Sequence, residues 1–74
     1  RESAVWTCLD KNGNRVIAFF NLTDEDREIS LDFKKYGLEN SYKATELWTK
    51  EETYFKDEIS YKVNAHGTAI FRLF

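Results

Sequence analysis

Arg27-Glu28-Ile29-Ser30-Leu31-Asp32-Phe33 is the stretch that decides the fold class. Ile29, Leu31 and Phe33 fall on one side of an extended chain, and Glu28, Ser30 and Asp32 on the other. Successive side chains of a strand point to opposite faces, so this period of two predicts a strand buried on one face only. Glu58 to Val63 repeats it, with Ile59, Tyr61 and Val63 inward. No segment carries a helical period over three turns.

Working outward, short apolar stretches recur about every eight to twelve residues, the rhythm of a sandwich or barrel. Further strands are expected over Ala4–Leu9, Arg15–Asn21, Tyr42–Leu47, Thr53–Lys56 and Thr68–Phe74. Asp10-Lys11-Asn12-Gly13 is a hairpin signal, either a type I turn ending in Gly13 or a type I′ turn at Asn12-Gly13. Asn64-Ala65-His66-Gly67 reads as a type I turn with Gly at its fourth position. Lys34 to Asn40, punctuated by Gly37, is a loop with room for one helical turn. The expected fold is all-β: a single antiparallel β-sandwich of Greek-key type with about seven or eight strands, residues 1–74 forming one domain.

Two strands are apolar on both faces. In the second, Val16, Ala18 and Phe20 oppose Ile17 and Phe19; in the last, Ala69, Phe71 and Leu73 oppose Ile70 and Phe74. A sandwich has one interior, so the other face must be met by loops, by a bend between sheets, or by a partner. Small Ala18 suits a crowded centre, which predicts Val16, Ala18 and Phe20 inward. On that reading Ile17 and Phe19, with Trp6, form an exposed interdomain surface.

The chain has 74 residues, 16% of them aromatic and 32% charged, with a net charge of −2. Lys34-Lys35 is the only adjacent basic pair, which argues against nucleic acid as a partner. No apolar run has the length of a membrane span. One Cys and one His allow no internal disulfide and no tetrahedral metal site, and no cofactor motif is present. Cys8 is expected to be buried. The missing stabilisation of so small a core is expected from a neighbouring domain.

Catalytic readings find little support. Glu28 and Asp32 share a strand face, but on the solvent side, where no enclosure exists for a glycosidase carboxylate pair. Asp24-Glu25-Asp26 lies in a hairpin loop, and His66 sits in a turn with no nucleophile at a recognisable spacing. Asn21-Leu22-Thr23 matches a glycosylation sequon. Among the aromatics, Trp48 and Tyr54, with Tyr36 and Trp6, are the candidates for stacking on a sugar ring; core or interface packing is the competing use.

Read in order, Val5-Trp6, Arg15-Val16-Ile17-Ala18-Phe19-Phe20-Asn21-Leu22, Glu28-Ile29-Ser30-Leu31-Asp32-Phe33, Tyr36-Gly37-Leu38, Tyr42-Lys43-Ala44-Thr45-Glu46-Leu47-Trp48 and His66-Gly67-Thr68-Ala69-Ile70-Phe71-Arg72-Leu73 form a pattern over essentially the whole chain. It resembles the C-terminal β-sandwich of family 27 α-galactosidases and α-N-acetylgalactosaminidases. Glu46 stands where that family usually has Asp. In the family the sandwich follows a (β/α)₈ barrel that carries both catalytic Asp residues and the galactose pocket. Nothing like the barrel is present, so no catalytic residue carries over. The resemblance implies a non-catalytic accessory domain packed on a barrel that cleaves terminal α-linked galactose by a retaining mechanism. The alternatives are a carbohydrate-binding module and a protein-interaction sandwich.

Overall fold

A computed structural model describes residues 2–74. Seven strands are present among the described residues: β1 Ser3–Leu9, β2 Arg15–Asn21, β3 Arg27–Asp32, β4 Ser41–Glu46, β5 Glu52–Lys56, β6 Glu58–Val63 and β7 Thr68–Leu73. They form an antiparallel five-stranded sheet, β1-β2-β7-β4-β5, and an antiparallel pair, β3-β6. Connections β2–β3, β3–β4, β5–β6 and β6–β7 each pass from one sheet to the other, and β7 sits between β2 and β4. This is the interleaved sandwich that the alternating strands called for.

The turn chemistry explains several of these connections. At Asp10–Gly13 the Gly13 N–H donates to the Asp10 carbonyl at 3.0 Å, and Gly13 has φ of 84°. Asn12 does not share the positive φ that a type I′ turn needs, so the type I alternative holds. The Asp10 carboxylate accepts the Asn12 and Asn14 N–H groups, both at 2.9 Å. Lys34–Tyr36 is a 3₁₀ turn ended by Gly37 at φ of 69°. Asp57, at φ of 68°, is the single residue between β5 and β6 and turns the chain from one sheet to the other.

The Asn64–Gly67 turn corrects its expectation. His66, its third residue, has φ of 58°, which marks type II rather than type I. Glycine is not free to move there: a Cβ on Gly67 would lie 2.9 Å from the Asn64 carbonyl oxygen. His66 takes the left-handed conformation and is tied by its N–H to Thr23 O at 3.1 Å and by Nε2 to Asp24 Oδ1 at 2.6 Å.

The core lies between the sheets. Ile29, Leu31, Phe33, Ile59 and Val63 enter it from the small sheet, as alternation predicted, with Tyr61 packed at its margin. From the large sheet come Ile17, Phe19, Ala44, Ala69, Phe71 and Leu73. Phe71 is its hub, edge-on to Tyr61, Phe55 and Phe19 at centroid distances of 4.9, 5.8 and 6.0 Å.

The assignment of faces on β2 is the opposite of the one expected. Ile17 and Phe19 are fully buried in the core, whereas Val16, Ala18 and Phe20 lie on the outer face of the large sheet. Size complementarity explains both faces. Phe19 stands opposite Ala69 on the inside, while Ala18 stands between Trp6 and Ile70 on the outside. Asn21 fixes the parity, because it shares the face of Ile17 and Phe19. Its Nδ2 donates across the interior to the Val63 and Asn64 carbonyls at 3.0 and 3.2 Å, and to Glu25 O at 2.7 Å.

Candidate docking face and groove

The outer face of the large sheet is built by cross-strand register. Trp6 lies opposite Ala18, and Ala18 opposite Ile70; Ala4 lies opposite Phe20, and Phe20 opposite Thr68. Leu47 joins this row, its N–H donating to the Ile70 carbonyl at 2.8 Å. The next row, Cys8, Val16, Arg72, Thr45 and Glu52, turns polar toward β5. One half of the face, over β1, β2 and β7, is thus apolar, with Trp6 55% exposed at its margin. Cys8 belongs to this face and is half-buried, not buried as expected.

The apolar half ends at a bare edge. β1 pairs only with β2, and Ser3-Ala4-Val5-Trp6-Thr7-Cys8-Leu9 contains no charged residue. Edge strands are ordinarily protected by charge, as β5 is by Glu52 and Lys56. A flat apolar face running to an uncharged edge is the surface of this domain that most needs cover.

A second feature lies at the opening between the sheets. Glu46 ends β4 with its carboxylate buried. Oε1 accepts the Trp48 and Thr49 N–H groups, both at 2.8 Å, and Oε2 accepts the Ile70 N–H at 2.9 Å. These bonds fix the β4–β5 turn, which closes with Lys50 at φ of 66°. The turn holds Trp48, 69% exposed, beside a groove of about 310 Å³. Tyr61, Lys62, Asn64 and Thr68 line it together with Trp48 and Thr49. Burial, and then the Glu46 and Glu51 carboxylates, push the Tyr61 phenol above its usual pKa, so it stays a neutral donor. Tyr54, 79% exposed, faces outward on β5 opposite Lys43 and does not line the groove.

The acidic residues weighed for catalysis hold the fold locally. Glu28 Oε2 accepts the Ser60 hydroxyl at 2.8 Å, and Asp32 Oδ1 accepts the Lys34 N–H at 3.0 Å, both exposed. Asp26 Oδ1 accepts the Ala65 N–H at 3.0 Å. Among the described residues no cluster of His, Cys, Asp and Glu could hold a metal ion. No helix is long and apolar enough to cross a membrane.

Residues 1–73 match the family described as the alpha galactosidase C-terminal beta sandwich domain. The chain belongs to this family. Within it, the sequence is 33% identical over 64 residues to a probable alpha-galactosidase A of Aspergillus flavus, covering 84% of this chain and 12% of that protein. It is 34% identical over 70 residues to alpha-galactosidase D of Emericella nidulans, covering 93% and 11%. The chain therefore spans about an eighth of the length of these relatives. Among solved structures, the family 27 β-L-arabinopyranosidase of Geobacillus stearothermophilus superposes with a TM-score of 0.87 at 29% identity, over 97% of this chain and 17% of that one. Alpha-galactosidase I of Mortierella vinacea gives 0.85 at 20% identity, over 97% and 20%, a likeness of fold.

Of the residues singled out in this α-galactosidase C-terminal sandwich, Trp6 lies on the outer face and Trp48 at the groove, while Ile17 and Phe19 lie in the core. Half-buried Phe20 and Ile70 take their place on the face, with Val16 and Ala18 on the same side of β2 but buried. The signal was present in Asn21: a polar residue ending an apolar strand belongs where its amide finds carbonyls, and that parity carries Phe19 inward. The approach of Tyr61, Asn64 and Thr68 to Trp48 had no signal, because it joins three separate stretches of chain.

Proposed function

We propose that this sandwich is a non-catalytic accessory domain of an α-galactosidase-type retaining glycoside hydrolase, docked through the outer face of β1, β2 and β7 on the catalytic (β/α)₈ barrel and stabilising it. The observation that carries the proposal is that face, where the row of Trp6, Ala18 and Ile70, with Phe20 in the adjacent row, makes an apolar surface ending at an uncharged edge strand. The names of its relatives supply the activity of the parent, and their length leaves room for the barrel. The acidic side chains of the domain lie outside any enclosed carboxylate pair, so the chemistry belongs to the barrel.

The test is a pair of melts. Trp6→Ser with Ile70→Ser, introduced into the whole enzyme, should lower the temperature at which α-galactosidase activity is lost by more than it lowers the melting of the 74-residue chain. Equal shifts in both would refute docking through this face. Separately, the 74-residue chain should not hydrolyse a nitrophenyl α-galactoside. Turnover abolished by Asp32→Asn or Glu28→Gln would overturn the non-catalytic reading.

A further inference from the structure

We infer that the groove beside Trp48 is a binding subsite for a neutral pyranose sugar, which stacks on the Trp48 indole and is oriented by Asn64 and Tyr61. The observations come from three elements that converge there. The Glu46 carboxylate fixes the Trp48 and Thr49 N–H groups, so the Trp48 backbone is anchored while its side chain remains 69% exposed. Anchoring the backbone beneath a large exposed aromatic removes part of the conformational freedom that binding would otherwise cost. The adjoining space, about 310 Å³, lies at the low end of the range for small-ligand sites, about 300–1,000 Å³.

The polar lining selects the class of ligand. The Asn64 side-chain amide and the Tyr61 hydroxyl line the groove and have no hydrogen-bond partner among the described residues, while Thr68 borders it with its side chain on the outer face. Both are neutral, and each can both donate and accept. The charged groups beside them are already engaged: Glu46 by three backbone N–H groups, and Lys62 by Asp26 at 3.8 Å. With Lys62 paired to Asp26, the rim offers an anion no net positive charge, and a purely apolar ligand would strand the polar groups. A pyranose ring meets both demands, with a C–H face for the indole and hydroxyls for the rim. A protein partner is the weaker fit, since this lining is concave and polar whereas the apolar docking face is flat and lies on the other side of the large sheet.

The pyranose class follows from the groove itself; choosing galactose as the first probe rests on the proposed parent enzyme. The experiment is an NMR titration of the 74-residue chain with galactose and, in parallel, glucose. Saturable shifts are expected at the Trp48 indole and the Asn64 and Thr68 amides, with millimolar affinity. Trp48→Ala should weaken them about tenfold or more. Tyr54→Ala, on the outer face, should leave them unchanged. Asn64→Ala, which truncates an exposed side chain and keeps the backbone carbonyl that Asn21 uses, gives a second variant should Trp48→Ala lose its dispersed spectrum. Binding of either sugar that depends on Trp48 supports the inference, and a preference for galactose ties it to the parent's substrate. No saturable shift with either sugar, or shifts undiminished by Trp48→Ala and Asn64→Ala, would overturn it. Docking through the outer face would be unaffected by that failure.

Discussion

Phe19 and Phe20 are adjacent and chemically identical, and the structure gives their truncation very different costs. Phe19 is fully buried and meets Phe71 edge-on, at a centroid distance of 6.0 Å and an interplanar angle of 64°. Emptying a core Phe site costs about 3–5 kcal/mol, the lost transfer energy plus the cavity left behind. Phe20 is half-exposed on the outer face, so Phe20→Ala should cost about 1–2 kcal/mol by the part of the ring already covered. A domain of 74 residues holds about 4–11 kcal/mol in total at typical values per residue. Phe19→Ala therefore removes about a quarter of the stability at best and all of it at worst. The assay is urea unfolding followed by tryptophan fluorescence. With a slope of about 1 kcal/mol per molar urea for so small a chain, Phe19→Ala should lower the midpoint by roughly 3 M or leave no folded baseline. Phe20→Ala should lower it by about 1–2 M. Equal midpoints for the two variants would refute the assignment of faces, and with it the argument that the row of Trp6, Ala18 and Ile70 is the surface needing cover.

Three further outcomes follow from single side chains. Glu46→Gln puts an amide donor where three backbone N–H groups need acceptors, leaving at least one unsatisfied; a loss of about 1–3 kcal/mol in denaturant melts is expected, and an unchanged midpoint would count against the turn-locking role. Asn21 matches the sequon, yet it is 1% exposed and its Nδ2 is bonded to three carbonyl oxygens, so folded protein secreted from a eukaryotic host should carry no glycan there. Intact mass spectrometry showing a glycosylated, folded Asn21 would contradict this packing. Finally, the Asn14 N–H first, then the Asn12 N–H and Arg72, hold the Asp10 carboxyl below its usual pKa of about 3.9. A depressed pKa in the folded state adds stability that is complete above about pH 4 and is lost as pH falls through the folded value. Asp10→Asn, which keeps an oxygen for the turn, should flatten the fall in urea midpoint below about pH 4; an unchanged slope would place the acid sensitivity elsewhere.

The sandwich was legible because alternation is a local property. Ile29, Leu31 and Phe33, like Ile59, Tyr61 and Val63, report their burial through neighbours two positions away, with no knowledge of the partner strand. The turn at Asp10–Gly13 was readable for the same reason, since Asp and Gly act within four residues. Family membership was legible too, because the order of strand-end residues survives without the barrel.

Which face of β2 is the inside was not fixed locally. Val16-Ile17-Ala18-Phe19-Phe20 is apolar on both sides, so its periodicity contains no sign. The sign comes from contacts distant in sequence: Asn21 reaching Val63 and Asn64, Phe19 fitting opposite Ala69, and Phe71 gathering Phe19, Phe55 and Tyr61. The groove has the same origin, since Trp48 meets Tyr61, Asn64 and Thr68 only after β4, β6 and β7 are assembled. By itself the sequence determined strands, turns and the presence of one surplus apolar face, all consequences of backbone geometry over a few residues. Tertiary structure alone decided which face that is and where Trp48 points, because both depend on side-chain volumes and hydrogen-bond partners supplied by remote strands.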